Sequence, residues 1–302
     1  MKKKPLVLIS FSGGETSGFM AQWLLKHKSD EYEFIVIFAN TGRENEETLA
    51  FVHWCDQYFG LNVIWVEGVT NPVQRKGMSA KVVTYETADR SGAPMRGLIE
   101  KHGIPNKPNP ICSRDLKART IRAYMRSLGY KKSSYVTAIG IRADEIDRVS
   151  EQRIAEGLIY PLVTMQPMTK PMINFFWNNM PRRLQLKGWE GNCQVCYKKS
   201  LRKLLTIARK FPERFDFEVQ IEKEFGHYVP EKRLKTLMDK GKEVNFPITY
   251  FRGNLSALDI LKMAQEEDFE EASDDSVVYD ESALVGYDLD KTDGCSESCE
   301  VF

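Results

Sequence analysis

Three groups of residues in this chain have the types and spacings that bind or activate charged species. The first is Ser10-Phe11-Ser12-Gly13-Gly14-Glu15-Thr16-Ser17, in which the hydroxyls of Ser10, Ser12, Thr16 and Ser17 surround two glycines. Gly13 and Gly14 can take backbone angles closed to other residues, so an oxyanion can approach the main chain there and collect N–H and O–H donors. The second is Gly140-Ile141-Arg142-Ala143-Asp144-Glu145 with Arg148 one turn later. A guanidinium at such a position can clamp an oxyanion bidentately, and Asp144 or Glu145 can orient it or hold a divalent ion. The third is the cysteines. Cys193-Gln194-Val195-Cys196 has the bite of a metal knuckle, two thiolates on one turn, and a tetrahedral site needs two more. Cys112, Cys295 and Cys299 are the available partners; Cys112, Cys193 and Cys196 with one of Cys295 or Cys299 would suit zinc or a [4Fe–4S] cluster equally in donor chemistry.

These groups need elements to carry them. Leu6 to Ile9 is an apolar run of buried-strand type, and after the glycines Phe19, Met20, Trp23 and Leu24 recur at helical spacing. The junction is thus strand, glycine-rich loop, helix, and the free N–H groups of the helix face an anion with the positive end of the dipole behind them. No Lys follows the glycines, so the spacing is neither GxxxxGK[ST] nor GxGxxG. Residues 34–39 form a second apolar strand, followed by a turn at Asn40-Thr41-Gly42 and a helix from about Glu46 to Tyr58; Val63 to Val66 is a third strand and Tyr135 to Ile141 a fourth. A parallel sheet with right-handed crossovers is the expected core, with ligands at the carboxyl ends of its strands. Between them, residues 69–111 read as an irregular insertion in which only Pro94 to Lys101 looks helical, a segment able to cover substrate. Cys112 opens a basic helix that its own side chain or that of Ser113 could cap; a thiol at a helix N-terminus beside Arg114 and Lys117 would have a lowered pKa, which suits a metal ligand and a reactive thiolate alike. From about Thr164 the pattern turns helical, with helices at Pro171–Met180, Ser200–Lys210 and Leu255–Gln265, while 221–253 is polar and of weak pattern. No thioredoxin-like run of strands surrounds the Cys-x-x-Cys.

The length, 302 residues, is ample for a core. No apolar run approaches the roughly 18 residues that span a bilayer, and Met-Lys-Lys-Lys runs straight into a strand, so a cytoplasmic location without membrane attachment is expected. Six cysteines then argue for metal or thiol chemistry rather than a disulfide framework; Cys55, in an apolar helical stretch, reads as core. The net charge of +1 conceals a division: residues 266–302 hold fourteen Asp and Glu against one Lys, leaving +14 on residues 1–265. A basic body suits nucleotide phosphates or a nucleic-acid backbone.

Ser12-Gly13-Gly14-Glu15-Thr16-Ser17 resembles the SGGxDS/T loop of the N-type ATP pyrophosphatase superfamily (PP-loop, adenine nucleotide alpha hydrolase-like), and the chain is most similar to its PAPS reductase-like branch, common in phage and bacteria. The resemblance extends to Asn40-Thr41-Gly42, to Cys112-Ser113-Arg114-Asp115-Leu116-Lys117, to Gly140-Ile141-Arg142-Ala143-Asp144-Glu145 with Arg148, and to Glu190-Gly191-Asn192-Cys193 through Lys199. It implies a doubly wound, mainly parallel α/β sheet of HUP type. In such a protein Ser10, Ser12, Gly13, Gly14, Thr16 and Ser17 cradle phosphate, Asn40, Thr41 and Gly42 help hold the nucleotide, and Arg114, Lys117, Gly140, Arg142 and Arg148 complete the site. Thr16 departs from the pattern, since ATP-cleaving members carry Asp there.

The organisation expected is a nucleotide-binding domain over 1–165, a helical Cys-x-x-Cys region over 166–265 and an acidic tail over 266–302. The resemblance implies ATP or PAPS as ligand with magnesium, cleavage of ATP to AMP and pyrophosphate, and transfer of sulfur to an acceptor such as tRNA or DNA with a sulfur-donor protein as partner; Arg142, Asp144 and Cys112 are the expected catalytic groups. Two other readings are a sulfonucleotide reductase and a nucleotide-binding sensor or accessory protein without turnover.

Overall fold

A computed structural model of the chain describes residues 3–73, 76–241, 243–266 and 268–279. Six strands, β1 (Leu6–Ser10), β2 (Glu33–Asn40), β3 (Ile64–Thr70), β4 (Met78–Val83), β5 (Tyr135–Ala138) and β6 (Leu158–Ile159), form one sheet in the order β4-β3-β2-β1-β5-β6. Neighbours are parallel except β3 and β4. Because β1 lies between β2 and β5, the winding reverses at β1, with the carboxyl ends of β1 and β5 side by side, the position where ligands bind in open α/β sheets.

The helices are α1 (Glu15–Lys28), α2 (Glu46–Phe59), α3 (Ala93–His102), α4 (Thr120–Ser127), α5 (Arg153–Glu156), α6 (Pro161–Thr164), α7 (Lys170–Asn178), α8 (Leu201–Lys210), α9 (Asp216–Phe225), α10 (Glu231–Asp239) and α11 (Ala257–Glu266), with a π-helical segment at Ser113–Arg119 running into α4. Side chains alternate across a strand, so Val7 and Ile9 of β1 pack with Phe19, Met20, Leu49 and Phe51 of α1 and α2, whereas Leu6 and Leu8 pack with Ile121 and Met125 of α4 on the other face. Both faces are covered, which is why β1 reads as an unbroken apolar run.

The helices after residue 166 join these layers. Ile173 and Trp177 of α7 enter the core formed by α1 and α2, and the Trp177 indole Nε1 donates to the carbonyl of Glu15 at 2.9 Å. A further core unites Leu98, Ile99 and Leu116 with Val195, Leu204, Leu205, Ile221 and Ile260. The start of the acidic tail lies along the same helices. Arg202 donates to the carbonyls of Glu270 and Glu271, Lys210 pairs with Glu271 at 2.6 Å, and the Asn174 amide donates to the carbonyls of Asp275 and Val278. Cys295 and Cys299 lie outside the described residues.

Three local readings differ from the sequence pattern. Within 69–111, α3 falls where the helix is expected, but Met78-Ser79-Ala80-Lys81-Val82-Val83 also pairs antiparallel with β3 as an edge strand. Val82 is exposed while Met78 and Val83 are buried, so strict alternation is lost, and Lys81 sits on an edge, a place where such a charge discourages further pairing. Within 221–253, α10 forms with no buried residue, hence no apolar stripe to read. The helix expected to begin with a cap at Cys112 instead includes that residue, whose backbone is right-handed helical (φ −61°, ψ −49°), and no side chain caps it. Among the described residues no helix is long and apolar enough to cross a membrane.

Trp177 is fully buried and meets Phe51 edge-on at 4.9 Å. Trp177→Ala should therefore destabilise the fold by about 3–5 kcal/mol, read as a lowered urea midpoint at unchanged slope; a loss below about 1 kcal/mol would remove α7 from the core of the fold.

Candidate functional site

The loop after β1 is closed by its own hydroxyls and packed tightly against the core. Gly13 has φ +89°, and a Cβ there would stand 2.6 Å from Thr48 Cγ2, so only glycine fits both the backbone angle and the space. Gly14 is the N-cap residue of α1 and no side chain caps that helix, leaving its first turn to other partners. The Ser17 hydroxyl donates to the Gly14 carbonyl at 3.0 Å and stands 2.8 Å from the Ser12 hydroxyl, and the Ser12 N–H donates to Ser17 Oγ. These bonds fix the turn before any ligand arrives.

The end of β5 comes to the same turn. A Cβ on Gly140 would lie 3.1 Å from Ser17 Cα, so the absence of a side chain lets the two loops touch. Two residues on, Arg142 Nη1 donates to the Thr16 hydroxyl at 3.3 Å, while its Nε donates to Asp144 Oδ1 at 3.0 Å and its Nη1 stands 3.5 Å from Glu145. Arg148 pairs with the other Glu145 oxygen. Ser12, Thr16, Ser17, Gly140, Arg142, Asp144 and Arg148, separated by more than a hundred positions in the chain, are thus brought to one place.

The turn after β2 forms the neighbouring wall. The Gly42 N–H donates to Asn40 Oδ1, the Asn40 amide donates to Glu67 Oε1 at 2.8 Å, and the Thr41 N–H and hydroxyl donate to Glu44. Glu44 is almost wholly buried. Its Oε1 lies 3.6 Å from Lys117 Nζ and 4.0 Å from Cys193 Sγ. Cys193 reaches it because the chain at Cys193 pairs antiparallel with Glu44, the Asn45 N–H donates to the Asn192 carbonyl, and the Gln194 N–H donates to the Arg43 carbonyl. Asn192 also ties this strap to the first loop, donating from Nδ2 to the Ser12 carbonyl at 3.0 Å, while its own Oδ1 is buried without a hydrogen-bond partner.

The cysteines follow from that strap. Cys112 Sγ lies 3.6 Å from the hydroxyl of Tyr197, the residue after Cys196, and the Lys198 ammonium donates to Ser113 at 3.3 Å. Cys112, Cys193 and Cys196 therefore share one region, but among the described residues no three His, Cys, Asp or Glu side chains are arranged to hold a metal ion. Cys55 is buried, and burial pushes its thiol well up, as befits a core residue. Lys117 and Arg114 part company. Lys117 turns inward to Glu44, whereas Arg114 pairs with Asp115 at 2.7 Å, is half exposed and lines a separate cleft with Arg119. Glu44, Glu67 and the amide of Asn192 are site residues that sequence reasoning passed over. Glu44 stands three positions after Thr41, a spacing that suits the local bonds to Thr41, yet nothing local marks the lysine and thiol it meets.

The strap is braced from behind by Arg43, whose Nη2 pairs with Glu218 at 3.1 Å. Burial pushes the Glu218 carboxyl up to about 7, although Arg43 pulls it the other way. A carboxyl with a raised folded pKa binds its proton more tightly folded than unfolded, so its contribution to stability falls as pH rises from about 4.5 to about 7. Glu218→Gln removes this dependence: relative to the wild type, the variant should gain thermal stability between pH 5 and pH 8, and a constant difference across that window would mean Glu218 stays ionised throughout.

No family model matches the sequence. The chain is similar to an uncharacterised nin region protein of Escherichia phage lambda, at 27% identity over 98% of this chain and 94% of that protein. It is also similar to an uncharacterised protein of Methanocaldococcus jannaschii, at 23% identity over 74% of this chain and 42% of that protein.

Proposed function

We propose that the chain is an adenine-nucleotide-binding enzyme of PP-loop, HUP-like type that cleaves ATP to AMP and pyrophosphate and so activates an acceptor for sulfur transfer. The observation that carries this reading is Arg142: a nearly buried guanidinium delivered from the end of β5 onto the first, uncapped turn of α1, at the point where the winding of the sheet reverses. Donors preset around a position where negative charge develops are the main resource of phosphoryl and nucleotidyl transfer.

In this reading the nucleotide enters as MgATP. An acceptor oxygen attacks the α-phosphorus, the new P–O bond forms, and the bond to the β-phosphate breaks with its electron pair leaving on pyrophosphate. Arg142 and the N–H groups of the Ser12–Ser17 turn meet that charge. A sulfide-level nucleophile brought by a donor then displaces AMP from the acceptor. Asp144 and Glu145 hold Arg142 in place, and Arg148 holds Glu145. Thr16 offers a hydroxyl where ATP-cleaving relatives present a carboxylate, so Arg142 keeps more of its charge for the phosphate. The same hydroxyl favours a second reading, reduction of a sulfonucleotide such as PAPS, which requires no pyrophosphate cleavage; sulfite release from PAPS with a thiol reductant, without pyrophosphate release from ATP, would select it.

The zinc or [4Fe–4S] reading of Cys112, Cys193 and Cys196 needs Cys295 or Cys299 and a closer approach of the thiols than the described residues show. Removing Arg142, as Arg142→Ala, should weaken MgATP binding by about 10- to 150-fold, the worth of a charge-assisted contact of about 1.5–3 kcal/mol, in titration calorimetry on protein that circular dichroism shows to be folded. Equal affinity and equal pyrophosphate release would take Arg142 out of the site. For the cysteines, protein purified without oxygen should carry iron and sulfide or zinc by elemental analysis and lose it in Cys193→Ser; full retention in the variant would refute Cys193 as a ligand.

A further inference from the structure

On the far side of the π-helical segment lies an open cleft of about 630 Å³ whose walls come from four parts of the chain: the start of β4, the end of α3, the π-helical segment and the start of α10. Its cations are Lys76, Lys101, Arg114, Arg119, Lys232 and Arg233, against one carboxylate among the described residues, Asp115. That carboxylate is already shared between Arg114 at 2.7 Å and Arg119 at 2.5 Å. The Lys101 ammonium donates to the carbonyls of Asn71, Val73 and Lys76 and so builds the wall. Arg233 is different. Its Nη1 is buried without a hydrogen-bond partner, and burial lowers its pKa with no acidic group pulling back. His102, also lining the cleft, is pushed down by burial, opposed by Asp115 and reinforced by Lys101, Arg114 and Arg119.

We propose that this cleft binds the acceptor of the reaction, and that the acceptor is a nucleic acid held by its phosphodiester backbone; the acceptor role rests on the reading of the preceding subsection. Three features favour a polymer over a small anion. The cations are spread along an open cleft and come from separate elements, instead of converging on one point, and Arg114 and Arg119 are about half exposed. Guanidinium forks match successive phosphates, and the surplus of positive charge is the footprint of backbone binding. Met78, Ile111 and Pro230 add apolar floor on which sugars and base edges can rest. The position suits delivery. The segment that turns Arg114 and Arg119 to the cleft follows directly on Cys112 and turns Lys117 to Glu44 on its other side, so a strand in the cleft lies about one helix diameter, roughly 10 Å, from the thiols and the loop after β2.

The test uses the full chain, a fluorescein-labelled 20-nucleotide single-stranded DNA and a labelled tRNA transcript, read by anisotropy across a salt series. The wild type should bind at least one of them with a steep salt dependence. Lys232→Glu combined with Arg233→Glu should weaken that binding at least tenfold and flatten the salt slope by about 1.4, two contacts at about 0.7 each for a single strand, while MgATP affinity by calorimetry stays unchanged. Arg119→Gln, on a different wall, should weaken it independently, which guards against a folding defect of α10. Absence of binding by the wild type, equal binding by both variants, or displacement of the nucleic acid by inorganic tripolyphosphate at equal phosphate concentration would each overturn the proposal; the last would assign the cleft to a free polyphosphate. Loss of MgATP binding with nucleic-acid binding intact would instead sink the ATP reading and leave the cleft standing.

Discussion

The arrangement hangs on a short backbone seam. Cys193 pairs antiparallel with Glu44, the Asn45 N–H and Thr48 hydroxyl donate to the Asn192 carbonyl, and the Asn192 amide donates back to the Ser12 carbonyl. That seam brings a segment from late in the chain onto the carboxyl edge of the sheet, between the loops after β1 and β2. Without it the thiols would have no fixed relation to the glycine turn, and the carboxylate of Glu44 would lack Cys193 beside it. The backbone pairings at Glu44–Cys193 and Asn45–Asn192 are insensitive to side-chain identity, whereas the tie to the first loop depends on the side chain of Asn192.

Around the seam sits a set of buried or half-buried ion pairs joining distant parts of the chain: Glu15 with Arg183 at 2.9 Å, Arg43 with Glu218 at 3.1 Å, Glu190 with Arg214 at 2.7 Å and Lys117 with Glu44 at 3.6 Å. Desolvating two charges costs about what their attraction returns, so such pairs contribute little net stability, whereas a lost partner leaves a buried charge at a cost of about 3–5 kcal/mol. Their effect is selective: a shifted docking of α7 or α9 strands a charge and is penalised. The apolar cores provide the cohesion, and the pairs provide the register. Since Glu15 opens α1, the same logic holds the Ser12–Ser17 turn to the C-terminal helices.

The candidate site has two sides separated by one helical segment. On the inner side, Lys117 and Cys112 face the loop after β2 and the cysteine strap; on the outer side, Arg114 and Arg119 face the basic cleft. Eight successive residues, Cys112 to Arg119, carry both tasks because the π-helical stretch, like any helix, distributes near neighbours around its circumference. π-Helical stretches are often found at functional sites, and this one joins the proposed chemistry to the proposed acceptor surface.

Much of the fold was legible in the sequence for a physical reason: buried parallel strands must be apolar throughout, and the turn at Gly13 must be free of a side chain. Leu6 to Ile9, the 34–39 run, the helices at α1, α2, α7, α8 and α11 and the polar turns at strand ends are therefore written locally. The edge strand β4 and the helix α10 are not, because neither buries a continuous face and each leans on neighbours far away in the chain. Of the residues that the structure gathers around the loop after β1, Ser12, Gly13, Thr16, Ser17, Gly140 and Arg142 stand out in the sequence by type and position. What only the tertiary structure decided is who meets whom: that Arg142 rests on Thr16, that Glu44 stands between a lysine and a thiol, and that Arg114 turns away from Lys117 toward Asp115. Residue types follow from local chemistry; partnerships arise when packing of apolar faces sets elements side by side, and charge then selects among the arrangements that packing allows.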